Sequence, residues 1–229
     1  MVDLTIEGGI ARIFLNRPEK VNALHSALLQ SLKETIERAG SDANVRVMVL
    51  AGRGKAFCGG ADVNELQALT EASAGPFIER IHAVCAAIRR LPVPVVAQLH
   101  GAVIGAGLEI AAACDLRIAA EGTKFSMPEV RLGIPSVVEA ALLPRLMGSG
   151  RAAWLVLTGE AIDTRRAYEW GLIEEVGADE AVQRVVTSLL RGDREALSTQ
   201  KRLLQLWDEA SLGESVRQSS ADFIRAHRR

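Results

Sequence analysis

The stretch that decides the fold of this 229-residue chain is residues 101–115, GAVIGAGLEIAAACD. Its glycine and alanine residues are typical of a tight turn after a strand, and residues 108–113 predict a helix with Glu109 near its start. The first N–H groups of a helix lack partners within it, and the dipole is positive there. The turn therefore either offers backbone donors to a ligand or serves only the packing of helix on strand. GAVIGAG does not match the dinucleotide-binding pattern GxGxxG.

A second small-residue turn lies upstream, in residues 56–63, AFCGGADV. The N–H of Ala61 is placed to face a ligand, and Asp62 is placed to cap a helix that begins near Asn64. The alternative is a capped helix after a Gly-Gly turn, with no ligand. Because an oxyanion hole often needs two convergent donors, the two turns together favour a functional interpretation more than either does alone.

Two glutamates accompany these turns. Glu109 stands in the apolar sequence LEIAAA, and Glu129 follows a proline in residues 126–135, SMPEVRLGIP. A poorly hydrated carboxylate is a candidate for moving protons. The ordinary alternatives are that Glu109 only compensates the helix dipole and that Glu129 is a first-turn residue after an N1 proline.

Composition limits the classes of function. Apolar residues make up 48% and charged residues 24% of the chain, which is typical of a globular protein with one large domain or one domain and an appendage. The net charge is −1 and the basic residues are scattered, so we expect no nucleic-acid partner. The sequence has no signal-peptide pattern and no apolar run of about 20 residues, so we expect a cytoplasmic protein without a membrane partner.

The cysteine and histidine residues show no metal-type spacing. We therefore expect no metal ion, and we expect Cys58, Cys85 and Cys114 to be free thiols in a reducing compartment. The four histidines are interpreted as structural or surface residues.

Local patterns predict an α/β core followed by a helical appendage. Residues 4–7 and 10–15 flank Gly8-Gly9 as a hairpin, and Ser26 is expected to cap a helix. Further predicted strands are residues 45–51, 95–99, 115–119 and 124–126, and a long helix is predicted at 72–90. After Pro135 the pattern is almost wholly helical: 137–147, 151–157, 163–170, 180–190 and a single long helix at 195–225.

Together these stretches resemble the enoyl-CoA hydratase/isomerase, or crotonase, superfamily. The matching landmarks are LNRPEKVNAL (15–24), AFCGGADV (56–63), PVPVVAQLHGAVIGAGLEIAAACDLRIAA (92–120), FSMPEVRLGIP (125–135) and LTGEAIDTRRAYEWGLIEEV (157–176). The resemblance implies a spiral of ββα units over residues 1–185. It also implies a helical C-terminal region over residues 186–229, shorter than in most relatives, and a homotrimer or a dimer of trimers.

The resemblance also implies the substrate and its contacts. An acyl-CoA thioester is the expected partner, and no cofactor is expected because coenzyme A is part of the substrate. The thioester oxygen would lie between the N–H groups of Ala61 and Ala106, although the family usually has Gly at the latter position. Residues that would contact coenzyme A are Lys20, Ala23, Leu24, Ala61, Asp62 and Val63, and those of the acyl pocket are Phe77, Val137 and Val138.

Glu109 and Glu129 occupy the positions of the two hydratase glutamates. The implied reaction is the addition of water to a trans-2-enoyl-CoA: Glu109 activates water for attack at Cβ, and Glu129 supplies the proton to Cα. The alternatives are an enoyl-CoA isomerase, a thioester hydrolase, a specialised hydratase and, more distantly, a non-catalytic acyl-CoA-binding protein.

One segment departs from the family pattern. Typical hydratases have a glycine-rich GxxPGxGG stretch after the second glutamate, whereas this chain has LGIPSVVEAALLP. We therefore expect Val137 and Val138 to narrow the acyl pocket. The additional acid, Glu139, is expected on the outer face of a helix.

Overall fold

The computed structural model of the protein describes residues 1–227 and consists of two sheets surrounded by helices. The larger sheet has the order β1-β2-β3-β4-β6-β9, in which β1 and β2 are antiparallel and the other pairs are parallel. The smaller has the order β5-β7-β8. The strands are β1 (Val2–Glu7), β2 (Ile10–Leu15), β3 (Val47–Gly52), β4 (Val95–Leu99), β5 (Ala102–Ile104), β6 (Leu116–Ala119), β7 (Lys124–Ser126), β8 (Ile162–Asp163) and β9 (Glu175–Val176).

Helices connect and cover these strands, and the chain ends in a helical region. The α-helices are α1 (Ser26–Ser41), α2 (Val63–Ala68), α3 (Glu71–Arg90), α4 (Ala106–Ala113), α5 (Leu143–Met147), α6 (Ser149–Thr158), α7 (Thr164–Trp170), α8 (Asp179–Arg191), α9 (Arg194–Glu209) and α10 (Leu212–Ala226). Short 3₁₀ helices span Pro18–Lys20, Glu129–Leu132 and Val138–Leu142.

The core lies between the larger sheet and helices α1, α3 and α4. Every residue of β3 is buried, as expected for a parallel strand covered on both faces. The predicted inner face of α3 is confirmed, because Phe77, Ile81, Val84, Cys85 and Ile88 are all buried. All eight residues of α4 are buried, including Glu109. The core therefore holds the helix that carries the first candidate carboxylate.

Two details of the predicted elements are wrong: the residue that caps α1 and the all-helical character of the segment after Pro135. His25, not Ser26, caps α1: its Nδ1 accepts from the N–H of Leu28 at 3.3 Å. Ser26 is instead the first helical residue, and its N–H donates to Glu65 at 2.8 Å. The segment after Pro135 also contains the short strands β8 and β9, which complete the two sheets.

The predicted single C-terminal helix is two helices. Helix α9 ends at Glu209 and α10 begins at Leu212. The side chain of Ser211 accepts a hydrogen bond from the N–H of Glu214 and so caps α10. Helix α8 continues through the predicted division at residues 185–186 and ends at Arg191. Residues 228–229 of the predicted C-terminal region lie outside the described residues.

A buried lysine joins α9 to the core. Lys201 Nζ donates to the carbonyl oxygens of Ile88 at 2.9 Å and Val93 at 3.1 Å, and it lies 2.8 Å from Asp115 Oδ2. The outer sides of α9 and α10 expose large apolar residues, among them Leu212 and Phe223. No helix within residues 1–227 is both long and apolar enough to span a bilayer.

Candidate functional site

The two small-residue turns lie side by side because a backbone bridge joins them. The N–H of Cys58 donates to Ala102 O and the N–H of Ile104 donates to Cys58 O, both at 3.0 Å. The bridge is parallel, so both chains leave it at the same end. The turn at residues 59–61 therefore lies next to the turn at 105–106.

Both turns present an unused backbone donor. Leu24 and Ala61 form a parallel bridge that uses the N–H groups of Leu24 and Asp62, each at 2.8 Å from its acceptor, and so leaves the N–H of Ala61 on the opposite edge. Ala106 is the first residue of α4, where a helical N–H has no partner within the helix. Within residues 1–227 neither N–H donates to a protein acceptor.

A cavity of about 170 Å³ is lined by residues of both turns and by both candidate glutamates. The remaining wall is mostly apolar. Its side chains come from α2, α3, β5 and the segment after Glu129, and they include Leu66, Phe77, Ile78, Ile81, Ile104, Leu132, Ile134 and Val137. Phe77 and Val137 thus lie where the acyl pocket was expected. The prediction for Val138 is wrong: its side chain packs against the core and does not line the cavity.

Glu109 is buried one turn into α4. Its Oε1 accepts from the N–H of Ala140 at 3.2 Å. Burial, together with the nearby charges of Glu129 and Glu139, raises the pKa of Glu109 to about 8, against the lowering effect of the Ala140 N–H. At neutral pH this carboxyl group is therefore mostly protonated in the free protein.

Glu129 begins a 3₁₀ helix and lies against the second turn. Gly105 has φ +52°, and a Cβ at this position would lie 2.3 Å from Glu129 Oε1. Glycine is therefore needed here both for the backbone and for the close approach of the carboxylate. Ser136 Oγ donates to Glu129 Oε2 at 3.0 Å. Burial also raises the pKa of Glu129, against the lowering effects of its own backbone N–H and of the Ser136 hydrogen bond.

Comparisons with known proteins bear on this arrangement. The family model for enoyl-CoA hydratase/isomerase matches residues 5–211. The chain belongs to the enoyl-CoA hydratase/isomerase family. YngF of Bacillus subtilis, named for the same hydratase/isomerase group, is 40% identical over 171 residues, which make up 74% of this chain and just under two thirds (66%) of YngF.

A second relative and a solved structure cover more of the chain. A trans-2-decenoyl-[acyl-carrier-protein] isomerase of Streptococcus mutans is 32% identical over 217 residues, 91% of this chain and 82% of that protein. The crystal structure of an enoyl-CoA hydratase from Mycobacterium smegmatis has a TM-score of 0.96 at 29% identity, over 99% of this chain and 91% of that one. Membership of the crotonase superfamily and its fold are thereby confirmed.

The segment after Glu129, which departs from the family pattern, donates a hydrogen bond to each of the two candidate glutamates. Ser136 and the N–H of Ala140 each bind one of them. Between these residues Val138 has φ +42°, a left-handed conformation that a β-branched residue adopts only under strain. Sequence reasoning missed both contacts: the Glu109–Ala140 contact joins residues 31 positions apart, and the Glu129–Ser136 contact spans an irregular seven-residue segment that shows no periodic pattern.

Glu139 does not lie on an outer helix face, contrary to the prediction. Only 7% of the residue is exposed, and Oε1 lies 2.8 Å from His82 Nδ1. Its Oε2 is buried and has no hydrogen-bond partner within residues 1–227. The sequence predicts a 3.6-residue period here, whereas Val138–Leu142 is a 3₁₀ helix with three residues per turn, which turns this side chain inward.

The residues expected to contact coenzyme A lie along one edge of the first turn. Leu24 is buried, and its N–H and C=O are used in the bridge to the first turn, whereas Lys20 and Val63 are exposed. Asp62 caps α2 as predicted, and Arg17 Nη1 lies 2.6 Å from Asp62 Oδ2 and 2.9 Å from the carbonyl oxygen of Ala23. The Arg17 hydrogen bond holds the pKa of Asp62 below its usual value. Sequence reasoning did not single out Arg17.

A larger open depression, about 750 Å³, lies at one end of the larger sheet, where Arg12, Arg53, His100 and Gln183 are among its lining residues. It contains neither candidate glutamate, so size alone does not identify the functional cavity. Within residues 1–227, no three His, Cys, Asp or Glu side chains are placed to hold a metal ion together.

Proposed function

We propose that the protein is an enoyl-CoA hydratase, which adds water across the 2,3 double bond of a trans-2-enoyl-CoA to give a 3-hydroxyacyl-CoA. One observation carries the proposal: two carboxylates and two unused backbone N–H groups face the same apolar cavity. An enolate-like transition state needs this combination, because charge develops on the thioester oxygen while protons move at the neighbouring carbons.

The thioester oxygen accepts hydrogen bonds from Ala61 and Ala106, each worth about 3 kcal/mol in the transition state. Glu129 lies against Gly105, next to one of these donors, and is therefore assigned to the proton at Cα. Glu109 lies one turn further along α4 and is assigned to the water that attacks Cβ. No cofactor takes part in these steps.

The protonation of the pair is consistent with a reversible reaction. In the free protein the proton resides mainly on Glu109 at neutral pH, which is the arrangement that elimination of water requires. Addition of water uses the same pair with the proton on Glu129. Both directions therefore use a pair that carries one proton in total, and a bell-shaped pH dependence follows.

The first experiment mixes the purified protein with crotonyl-CoA and follows the loss of the conjugated enoyl absorbance, with the product identified by mass. A hydratase consumes the signal and adds the mass of one water. Glu109→Gln and Glu129→Gln should each lower kcat on the order of 1000-fold, because each removes a group that transfers a proton. Binding of the thioester without any conversion would contradict the proposal and favour a non-catalytic acyl-CoA-binding role.

An isomerase is the second candidate, supported by the match to the Streptococcus mutans isomerase over 91% of this chain. An isomerase needs only one carboxylate as a proton shuttle. If isomerisation is the reaction, Glu109→Gln retains much of the activity on a 3-enoyl-CoA while Glu129→Gln abolishes it. Equal losses in both variants would contradict this candidate.

We propose that the protein acts in the cytoplasm as a homotrimer or a dimer of trimers. The exposed apolar residues of α9 and α10 support a contact between subunits, because monomers seldom expose many large apolar side chains on one region. Light scattering after size-exclusion chromatography tests this assembly, and a monomer at micromolar concentration would contradict it.

A further inference from the structure

Glu139 is a buried carboxylate to which the proposed reaction assigns no role. It follows the strained Val138, and its neighbour Ala140 donates the backbone N–H that binds Glu109. One oxygen contacts His82, whose side chain is about half exposed, and the other has no hydrogen-bond partner in the described part of the chain. A buried charge with an unsatisfied oxygen is costly, so its retention calls for a physical reason.

The surroundings of Glu139 contain few groups that can offset its charge. Helices α3, α4 and α5 pack against the 3₁₀ helix that carries Glu139, and the titratable groups that interact with Glu139 from them are His82 and Cys85 on α3 and Glu109 on α4. The other charged residues of these helices are Glu71, Glu79, Arg80, Arg89 and Arg90 on α3 and Arg145 on α5. Arg145 is ion-paired with Asp208 at 3.4 Å, and burial raises the pKa of Cys85 well above its usual value, so that thiol is neutral. His82 is therefore the basic side chain in contact with Glu139, and Glu109 is the carboxyl group on which the charge of Glu139 acts.

We propose that Glu139 and His82 form a positioning pair for Glu109: His82 fixes the buried side chain of Glu139 next to the Ala140 N–H that binds Glu109, and the negative charge of Glu139 opposes a further negative charge at that site. The catalytic consequence rests on the proposed hydratase function, whereas the location of the proton does not.

The direction of the effect follows from charge. A negative group beside a carboxyl disfavours its ionised form, and Glu139 is one of the groups that raise the pKa of Glu109. His82 Nδ1 lies 2.8 Å from Glu139 Oε1, and the buried thiol of Cys85 is a second hydrogen-bond partner of the Glu139 side chain. Without His82 the buried carboxylate loses a polar partner, and its charge is no longer fixed in position beside Glu109.

The test measures the titration of Glu109 directly, by carboxyl ¹³C NMR of protein labelled at the glutamate side chains. The Glu109 signal is identified by its absence in Glu109→Gln, and its midpoint in the unmodified protein is expected at about 8. Glu139→Gln, which keeps the shape but removes the charge, should lower this midpoint on the order of one pH unit. His82→Leu, which removes the donor, should lower it similarly.

Two control variants separate charge from structure. His82→Gln keeps a donor near Glu139 and should retain most of the original midpoint. Glu79→Gln removes a carboxylate from the exposed side of the same helix, α3, and should leave the midpoint unchanged. A purely structural role for Glu139 would change the rate or the stability without moving the titration.

The alkaline limb of the pH profile of kcat/KM on crotonyl-CoA should move down in Glu139→Gln together with the NMR midpoint. An unchanged Glu109 midpoint in Glu139→Gln would overturn the proposal, and an unchanged midpoint in His82→Leu would overturn the part assigned to His82. The midpoints could shift as expected while neither the unmodified protein nor any variant hydrates crotonyl-CoA. In that case the positioning pair is supported and the hydratase assignment is contradicted.

Discussion

Residues 101–113 and residues 128–142 each supply one of the two carboxylates assigned to the reaction, Glu109 and Glu129, but the two regions differ in how deeply they are buried. In the first region α4 is buried along its whole length, and the turn before it is bridged to Cys58. In the second, the first 3₁₀ helix and the segment that follows it expose apolar side chains, among them Leu132 and Ile134. The donors of the reaction thus belong to the core, whereas one wall of the cavity belongs to the surface.

This difference separates two requirements of an enzyme. Groups that stabilise a developing charge must be fixed before the reaction, and a buried helix with its turn meets this need. The wall that meets the acyl group can vary without disturbing the core. We therefore infer that residues 101–113 determine the type of reaction and that residues 128–142 determine which substrate enters.

The largest expected effect comes from placing an alanine at corresponding glycines of the two regions. Gly105→Ala puts a methyl group where Glu129 Oε1 lies and forces an alanine into φ +52°, so Glu129 must move. We expect kcat for hydration to fall on the order of 1000-fold, because a displaced carboxylate no longer transfers its proton efficiently. Activity is measured with crotonyl-CoA and stability by urea unfolding.

Gly133→Ala is the matched control in the second region. Gly133 has φ +76° but no atom within 4 Å of an added Cβ, so the substitution costs only backbone strain, about 1 kcal/mol of unfolding free energy. Its kcat should stay within a few-fold of the original value. Equal losses of activity in the two variants would show that the regions do not differ as argued.

The next effect concerns the backbone donor of the buried region. Ala106→Pro removes the N–H of Ala106, and proline is well tolerated at the first position of a helix, where no helical hydrogen bond is lost. We expect kcat to fall about 100- to 1000-fold with little change in unfolding free energy. Ala106→Gly retains the N–H and should remain close to full activity. A fully active proline variant would exclude this donor from the oxyanion hole.

The carboxylates of the two regions should share one titration profile. Above pH about 8, Glu109 loses the last proton of the pair, and kcat/KM should fall about tenfold per pH unit. At acidic pH the second proton enters at Glu129, and kcat/KM falls again. A profile that stays flat throughout the pH range in which the protein remains folded would be incompatible with a pair that carries one proton.

Local patterns were sufficient to predict the buried region. The bounds of β4 and β7, the inner face of α3 and the Asp62 cap follow from residues close in sequence, and the structure confirms them. The break at Ser211 also had a local signal, a serine followed three residues later by Glu214, which was overlooked. These elements were therefore predictable nearly to their ends, whereas the short strands β8 and β9 were not predicted.

The surface-forming region was less predictable because its contacts are distant in sequence. The His82–Glu139 pair joins residues 57 positions apart, and the Glu109–Ala140 contact spans 31. No periodicity in one segment contains that information. Val138 was predicted to line the acyl pocket, but it has a left-handed backbone, which the sequence pattern of a helix does not predict, and its side chain packs against the core.

The smallest expected effect uses the different positions of the neighbouring residues Val137 and Val138. Val137 lines the cavity and Val138 does not, so Val137→Ala should widen the pocket while Val138→Ala leaves it unchanged. Because burying one more methylene is worth about 1 kcal/mol or slightly more, we expect the ratio of kcat/KM for an eight-carbon over a four-carbon enoyl-CoA to rise up to about tenfold in Val137→Ala. In Val138→Ala the ratio should stay constant although the unfolding free energy falls, because Val138 packs against the core. A shift in the ratio for Val138→Ala alone would mean that the wall of the occupied pocket differs from the one that lines the cavity, and that the second region rearranges when substrate binds.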